Sequence, residues 1–196
     1  MFTLAVAAGA VSTFPHDVTV YHWLTDQRSD PVRWVARRVS KWGDYPTGTL
    51  ILAVGLWVAG FVFKRRTWRM DGLACLLAAT IAGIAINPVR ALAGRPRPSM
   101  EVKDGFTGPK FTKEFHSFPS AHSTTSFGTA TALAVATPAI GIPALAAAAA
   151  VGWSRMYLRE HYLTDVIVGA GFGAFFGLAF GLAAQRRGLA ARHADF

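Results

Sequence analysis

Long runs of apolar residues constrain the fold of this chain more than any other feature of its sequence. Five runs carry few or no charges: 46–63, 71–93, 122–137, 139–153 and 162–184. A helix of about 20 apolar residues crosses the hydrocarbon core of a bilayer, and a helix bonds its own backbone polar groups where water is absent. We therefore predict an all-α integral membrane bundle of about five transmembrane helices, or six if the apolar residues 1–14 also cross.

The composition agrees with one membrane-embedded domain. Mean hydropathy is +0.32, and the formal net charge is +9. In a membrane protein this basic balance indicates contact with anionic headgroups or phosphorylated substrates. We expect no nucleic acid partner, because no soluble basic domain is visible. The one cysteine, Cys75, lies in an apolar run and excludes an intrachain disulfide and a multi-cysteine metal site. We expect residues 1–45 to form interfacial helices, residues 46–184 the bundle and residues 185–196 a basic tail.

The N-terminal segment is the part predicted to lie at the membrane surface. Residues 1–14 are too short to span a hydrocarbon core of ~30 Å as a helix, so we interpret them as an interfacial or partial helix. Residues 16–45 contain tryptophans, and valines that alternate with arginines, and Asp30 followed by Pro31 is typical of a helix start. This pattern predicts an amphipathic helix on the headgroup layer. A solvated basic helix is the alternative.

A histidine and an aspartate stand four residues apart at the start of the last apolar run. If this stretch is helical, His161 and Asp165 project from one face, about 40° apart around the axis. A carboxylate there can accept a hydrogen bond from one imidazole nitrogen, which leaves the other nitrogen as a nucleophile or base. The alternative is a simple helix-surface pair. Ionisable groups at the mouth of a membrane helix are costly, which favours the functional interpretation.

Five spans place three polar segments at one membrane face, where they can form one site. The segments are Arg90–Pro98, Pro119–His122 and Ser154–Asp165. Their arginines carry forked donors that suit phosphate oxygens, and a helix start offers free N–H groups and a favourable dipole to an anion. With two histidines, this set suits in-line phosphoryl transfer without a metal. One histidine attacks phosphorus and the other protonates the leaving oxygen.

These segments resemble the motifs of the type 2 phosphatidic acid phosphatase family, which shares its site with the vanadium haloperoxidases. Residues 90–98 match the family pattern K-x6-R-P, with Arg90 in place of lysine. Residues 119–122 match P-S-G-H, with Ala121 in place of glycine, and residues 154–165 match S-R-x5-H-x3-D in full. Arg90 keeps the positive charge, and a methyl at Ala121 matters only if φ there is positive. Neither departure indicates an inactive site.

The resemblance implies a role for each matched residue. His161 would be the nucleophile that forms a phosphohistidine, Asp165 would orient it, and His122 would protonate the leaving group. The phosphoryl group would be held by Arg90, Arg97, Arg155, Ser120 and the amide of Ala121. The family needs no metal, and we expect no cofactor.

The resemblance also implies a membrane lipid-phosphate phosphohydrolase, whose substrate lies in the bilayer. Candidate substrates are undecaprenyl or other polyprenyl (pyro)phosphates, phosphatidylglycerophosphate, phosphatidate and lipid A phosphate, and the sequence does not choose among them. A lipid phosphotransferase on the same site is one alternative. A non-catalytic lipid-binding or transport protein is another, although the intact His122, His161 and Asp165 argue against it. The membrane spans argue against a haloperoxidase, because those proteins are soluble.

Basic residues at the ends of the spans bear on orientation. The clusters Lys64–Arg66 and Arg186–Arg187 adjoin span ends on the side away from the predicted site. Positive clusters of this kind favour the cytoplasm, so we expect a bacterial inner-membrane protein whose site faces the periplasm or exterior. A plain count of basic residues favours the opposite orientation, because more of them lie on the catalytic side.

Two further features concern packing. The last run contains an unbroken four-residue repeat of glycines, at Gly169, Gly173, Gly177 and Gly181. Small residues at this spacing let membrane helices approach closely. Arg95 lies in a Gly-Arg-Pro turn, where it either supports the phosphate or caps the preceding span.

Overall fold

The computed structural model describes residue 9 and residues 12–194, apart from the side chains of residues 46 and 188–194. Over this part of the chain the fold is all-α, as predicted, with no β-strand. Its seven α-helices are α1 (Asp17–Asp26), α2 (Asp30–Gly43), α3 (Leu50–Val62), α4 (Arg66–Ala93), α5 (Ala121–Ala136), α6 (Pro138–Tyr157) and α7 (Leu163–Ala194). A π-helical turn, Tyr45–Thr49, joins α2 to α3.

Several of these helices are suited to a membrane. Within the described residues, α4, α6 and α7 are long and apolar enough to cross a bilayer. α2 and α3 meet the same criterion only as a pair bent by 70°, because α3 alone has 13 residues. α5 has 16 residues, or about 24 Å of helix, against a core of ~30 Å. The membrane bundle is therefore confirmed, and the count of five spans remains a prediction for α3 and α5.

The core of the bundle is a close packing of α4, α5 and α7. The glycine repeat of α7 faces α5, where a methyl on Gly173 would lie 2.0 Å from the carbonyl oxygen of Thr124. A methyl on Gly177 would lie 2.5 Å from the carbonyl oxygen of Gly128. No side chain fits at either distance, so the glycines let the two backbones meet. This close contact fixes the start of α5 against the start of α7.

The predicted amphipathic helix is α2, and it packs along α6. Its N-cap is Ser29, so the helix begins one residue earlier than an N-cap at Asp30 would place it. Ala36 and Ser40 are buried on one face, while Trp34 and Trp42 are exposed on the other. This distribution agrees with an apolar and basic face that lies at an interface.

Two predictions concern the ends of the chain. The prediction that residues 1–14 form an interfacial or partial helix falls largely outside the described residues. Most of the predicted basic tail continues α7 to Ala194, so it is helical, and residues 195–196 lie outside the described part.

The two ends of the bundle differ in content. At one end, the loop 94–120 contacts the loop 158–162, and the C-terminal end of α2 contacts α5. At the other end, the hydroxyl of Thr137, between α5 and α6, donates to Asp71 in α4 at 2.7 Å. The three segments that carry the family motifs lie at the first end.

Candidate active site

The three predicted segments are held together by backbone hydrogen bonds. The amide of Ser120 donates to the carbonyl oxygen of Asp165 at 3.0 Å, and the amide of Ser99 donates to that of Arg159 at 3.0 Å. α4 ends at Gly94 in the left-handed conformation, with φ 57°. A Cβ there would lie 1.8 Å from the carbonyl oxygen of Gly108, so this turn requires glycine. The turn directs the chain from α4 into the site.

His161 lies in the loop between α6 and α7, not on a helix as predicted, because α7 begins at Leu163. Its Nδ1 lies 2.7 Å from the carbonyl oxygen of Ser117 and 3.6 Å from Oδ2 of Asp165. A carbonyl oxygen can only accept, so Nδ1 carries the proton. The direct hydrogen bond that we predicted from His161 to Asp165 is therefore replaced by one to Ser117. The outcome for the ring is the predicted one, since Nε2 keeps its lone pair.

Burial controls the charge of His161. The residue is 2 % exposed, and burial lowers its pKa to about 4, although the neighbouring carboxylate of Asp165 opposes this shift. The imidazole is therefore neutral at neutral pH. A neutral ring with a free Nε2 is the form that can act as a nucleophile.

Asp165 is fully buried in the first turn of α7, and its carboxylate accepts three hydrogen bonds. Oδ1 accepts from Nη1 of Arg95 at 2.6 Å. Oδ2 accepts from the hydroxyl of Ser117 at 2.5 Å and from the amide of Tyr162 at 2.8 Å. Ser117 therefore binds both members of the predicted pair, with its hydroxyl on Asp165 and its carbonyl on His161.

Arg95 binds neither of the predicted groups, the phosphate or the end of the preceding helix, and pairs with three carboxylates instead. Its guanidinium is fully buried and donates to three carboxylates, those of Asp17, Asp104 and Asp165, at 2.6 to 2.8 Å. Burial opposes its charge, yet the three carboxylates raise the pKa of Arg95 above its ordinary value. Both earlier interpretations, phosphate support and helix capping, are therefore wrong. Arg95 ties α1 and the long loop to the carboxylate beside His161.

Two of the three predicted phosphate-binding arginines share a carboxylate. Arg97 contacts Oε2 of Glu160, and Nη2 of Arg155 lies 3.4 Å from the same oxygen. Nη1 of Arg155 also donates to the hydroxyl of Ser40 at 2.7 Å. The third arginine, Arg90, donates to the carbonyl oxygen of His116 at 2.9 Å and lies near enough to Arg97 and Arg155 to feel their charge.

The start of α5 carries the second motif. Ser120 is fully buried and acts as the N-cap, since its hydroxyl oxygen accepts from the amide of Ser123 at 3.4 Å. Ala121 begins the helix and is not among the non-glycine residues with positive φ, so its methyl group causes no strain. Phosphate binding by Ser120 and by the amide of Ala121 remains a prediction.

His122 faces the arginines and a carboxylate. Arg155, His161, Arg90 and Arg97 are its charged or titratable neighbours, so both predicted catalytic histidines lie in one cationic pocket. Nε2 of His122 lies 2.6 Å from Oδ1 of Asp44, the residue that follows α2.

Sequence reasoning missed four residues of this site: Ser40, Asp44, Ser117 and Glu160. None of them belongs to a spaced motif. Ser40 and Asp44 come from α2 and its end, which the sequence placed at the membrane surface but not beside a motif. Glu160 precedes His161 directly, and an acidic residue between two motif positions was the one available signal.

Comparisons with known proteins bear on the family of this chain. The model of the PAP2 superfamily matches residues 71–188. A lipid A 1-phosphatase of Rhizobium johnstonii is 33% identical over 121 residues, which are 60% of this chain and 50% of that protein. A decaprenylphosphoryl-5-phosphoribose phosphatase of Mycolicibacterium smegmatis is 36% identical over 141 residues, 68% of this chain and 69% of that protein. The chain thus spans about half the length of the lipid A relative and about two thirds of the other.

Two solved structures resemble the fold. The PAP2 type phosphatidylglycerolphosphate phosphatase from Bacillus subtilis superimposes with a TM-score of 0.70 at 23% identity, over 95% of this chain and 94% of that one. Aquifex aeolicus LpxE superimposes with a TM-score of 0.59 at 21% identity, over 87% and 94%. At these identities the likeness concerns the fold alone.

Proposed function

The chain belongs to the PAP2 superfamily, and from that membership we propose that it is a membrane lipid-phosphate phosphohydrolase. Its substrate would carry a terminal phosphate or pyrophosphate at the headgroup layer, with its apolar chains in the bilayer. The sequence relatives support this class, because each is named as a phosphatase of a lipid-linked phosphate. Polyprenyl (pyro)phosphates, phosphatidylglycerophosphate, phosphatidate and lipid A phosphate all fit the description.

One observation carries the proposal: His161 is neutral and held through Nδ1, with Nε2 free in a pocket of arginines. In the reaction that we propose, Nε2 attacks phosphorus in line with the leaving oxygen. The P–O bond breaks as the N–P bond forms, and His122 gives its proton to the departing oxygen. Water, deprotonated by His122, then attacks the phosphohistidine, which frees His161 and inorganic phosphate.

The remaining predicted residues would stabilise the charge of the transferring group. Arg90, Arg97 and Arg155 would donate to its equatorial oxygens, together with the start of α5 at Ser120 and Ala121. Asp165 would act on His161 through Ser117 and through its negative charge, because an imidazole that becomes positive is stabilised by a carboxylate 3.6 Å away. No step in this scheme calls for a metal ion.

We further propose that the site faces the periplasm or cell exterior of a bacterial inner membrane. The basic clusters Lys64–Arg66 and Arg186–Arg187 support this orientation. They adjoin the ends of α3 and α7 that lie away from the site.

Phosphate release by the purified protein tests the proposal. In detergent, we expect wild type to release phosphate from at least one lipid phosphate of a panel, at a rate that EDTA leaves unchanged. His161→Ala should abolish release, whereas His22→Ala, which removes an exposed histidine of α1, should retain it. A labelled phosphoprotein that is stable in alkali and labile in acid would support phosphohistidine. An active His161→Ala variant, or activity lost to EDTA, would contradict the mechanism.

A further inference from the structure

Glu160 occupies a position that no family motif assigns. It lies in the five-residue interval between Arg155 and His161, and its side chain turns into the cationic pocket. A single oxygen, Oε2, contacts the guanidinium groups of both Arg97 and Arg155. These are two of the three arginines that would bind the phosphoryl group in the proposed function.

The charges of the pocket explain this contact. Arg90, Arg97 and Arg155 lie close enough to repel one another, and like charges so placed need an anion between them. Forked guanidinium donors fit a carboxylate as well as they fit a phosphate. Oε2 of Glu160 therefore occupies a position that the proposed function would assign to a phosphate oxygen.

We propose that Glu160 is an internal competitor of the substrate phosphate: it binds Arg97 and Arg155 when the site is empty and is displaced when the phosphate enters. This inference rests on the proposed function. The side chain is 31 % exposed, so it can swing towards solvent while the backbone stays in place. By returning to the arginines, Glu160 would also speed the loss of inorganic phosphate after hydrolysis.

A simple orienting role for Glu160 predicts the opposite effect on affinity. Both arginines have anchors of their own, since Arg155 donates to Ser40 at 2.7 Å and the amide of Arg97 donates to the carbonyl oxygen of Glu114 at 2.9 Å. The guanidinium of Arg155 and the backbone of Arg97 therefore keep their places without Glu160. Loss of a competitor strengthens anion binding, whereas loss of an orienting group weakens it.

The test measures binding of orthovanadate, a phosphate analogue, to the detergent-purified protein. Glu160→Gln keeps the shape of the side chain and removes its charge. If the carboxylate occupies the pocket about nine tenths of the time, its removal lowers the Kd for orthovanadate about tenfold. The inhibition constant of inorganic phosphate should fall by the same factor. Glu160→Ala should act in the same direction, and thermal unfolding would show that both variants are folded.

The matched control is Glu101→Gln, which removes an equal charge at the same end of the bundle. Glu101 lies 2.5 Å from Nη2 of Arg159 and is well exposed, and Arg159 is not one of the three arginines of the pocket. Its Kd for orthovanadate should stay at the wild-type value.

The possible results separate this inference from the proposed function. Unchanged or weaker orthovanadate binding in both Glu160 variants would overturn the competitor role alone. Equal tightening in Glu101→Gln would also overturn it, because a general change in the field would then account for the effect. A wild type that binds no orthovanadate would overturn the proposed function, and the inference with it.

Discussion

Ser117 makes the contact with His161 that the sequence assigned to Asp165. Its carbonyl oxygen takes the imidazole proton, a task that the motif spacing gives to Asp165, and its hydroxyl binds Asp165 instead. Asp165 then acts on the ring by charge, from 3.6 Å, and is itself fixed by Arg95 and the amide of Tyr162. The tautomer of His161 is therefore set by a backbone carbonyl oxygen, which does not depend on the side chain at position 117.

The pairing of His122 with Asp44 yields a prediction at the same scale. Burial and the surrounding arginines disfavour the protonated imidazole of His122, which is the form that a general acid needs. The carboxylate of Asp44, 2.6 Å from Nε2, counteracts them. Asp44→Asn should therefore slow the release of an alkyl-type leaving group about tenfold, which is a part of the 10²–10⁴-fold that general acid–base catalysis contributes. Release of p-nitrophenol from p-nitrophenyl phosphate should change little, because that leaving group departs without a proton.

The control for Asp44 is Asp30→Asn, which removes a carboxylate from the other end of the same helix, where it lies 3.8 Å from Arg33. It should leave both rates unchanged. Equal losses for both leaving groups in Asp44→Asn would point to damage of the site and not to a missing proton.

The sequence predicted those site residues whose spacing lies within one short segment of the chain, and missed those that tertiary packing brings to the site. The motif positions Arg155, His161 and Asp165 have a spacing along the chain that the chemistry itself constrains, so a single sequence displays them. Asp44 and Ser40 reach the site only because α2 packs along α6, and nothing in their local sequence encodes that path. The same limit applies to Arg95, because two of its three carboxylates, Asp17 and Asp165, are 78 and 70 residues away in the sequence.

At the scale of elements, the site depends on how closely α5 and α7 approach. The N-terminus of α5 carries Ser120 and His122, the N-terminus of α7 carries Asp165, and the backbone bond from Ser120 to Asp165 joins them. The glycine spacing was enough to predict a packing face on α7. It could not show where the helices begin, because Leu163 and not His161 is the first helical residue. Helix ends depend on caps and tertiary bonds more than on periodicity.

Replacement of one glycine at the α5–α7 contact should destabilise the bundle. A methyl in Gly173→Ala would lie 2.0 Å from the carbonyl oxygen of Thr124 and 2.9 Å from the amide of Gly128. These are backbone atoms of α5, so the helices must separate, at a cost of about 1–3 kcal/mol. Thermal unfolding in detergent should show a lower midpoint, and phosphate release should fall because His122 moves away from His161.

The comparison for this variant is Gly55→Ala in α3, where an added methyl meets nothing within 4 Å. Its unfolding midpoint should equal or exceed that of wild type, since alanine favours a helix over glycine. A Gly173→Ala protein as stable as Gly55→Ala would show that α5 and α7 do not meet as closely as described.

At the scale of the whole molecule, the two ends of the bundle differ, because the candidate site lies at only one of them. One end gathers α1, the end of α2, the long loop and the α6–α7 loop around Arg95 and the cationic pocket. The other end has short connections, and the hydrogen bond of Thr137 with Asp71 lies there. Membrane composition and apolar runs were sufficient to predict that the three motif segments lie at one end. They were insufficient to predict that the N-terminal helices, assigned to the surface, complete the site.

This asymmetry makes the orientation of the protein measurable with two matched substitutions. Phe111, in the long loop of the site, is 83 % exposed, and Phe63, at the opposite end after α3, is 64 % exposed. In a Cys75→Ala background, which removes the one native cysteine, Phe111→Cys and Phe63→Cys each offer a single thiol. Neither change alters a basic residue, so the charge clusters from which we infer the orientation stay intact.

With the site towards the periplasm, a membrane-impermeant maleimide should label Phe111→Cys in intact spheroplasts. Phe63→Cys should be labelled only after lysis, because its thiol would face the cytoplasm. The reverse pattern would place the pocket of His161 in the cytoplasm and would give the plain count of basic residues more weight than the clusters at the span ends. It would also change which membrane leaflet supplies the lipid phosphate, while the chemistry proposed for the pocket would stand.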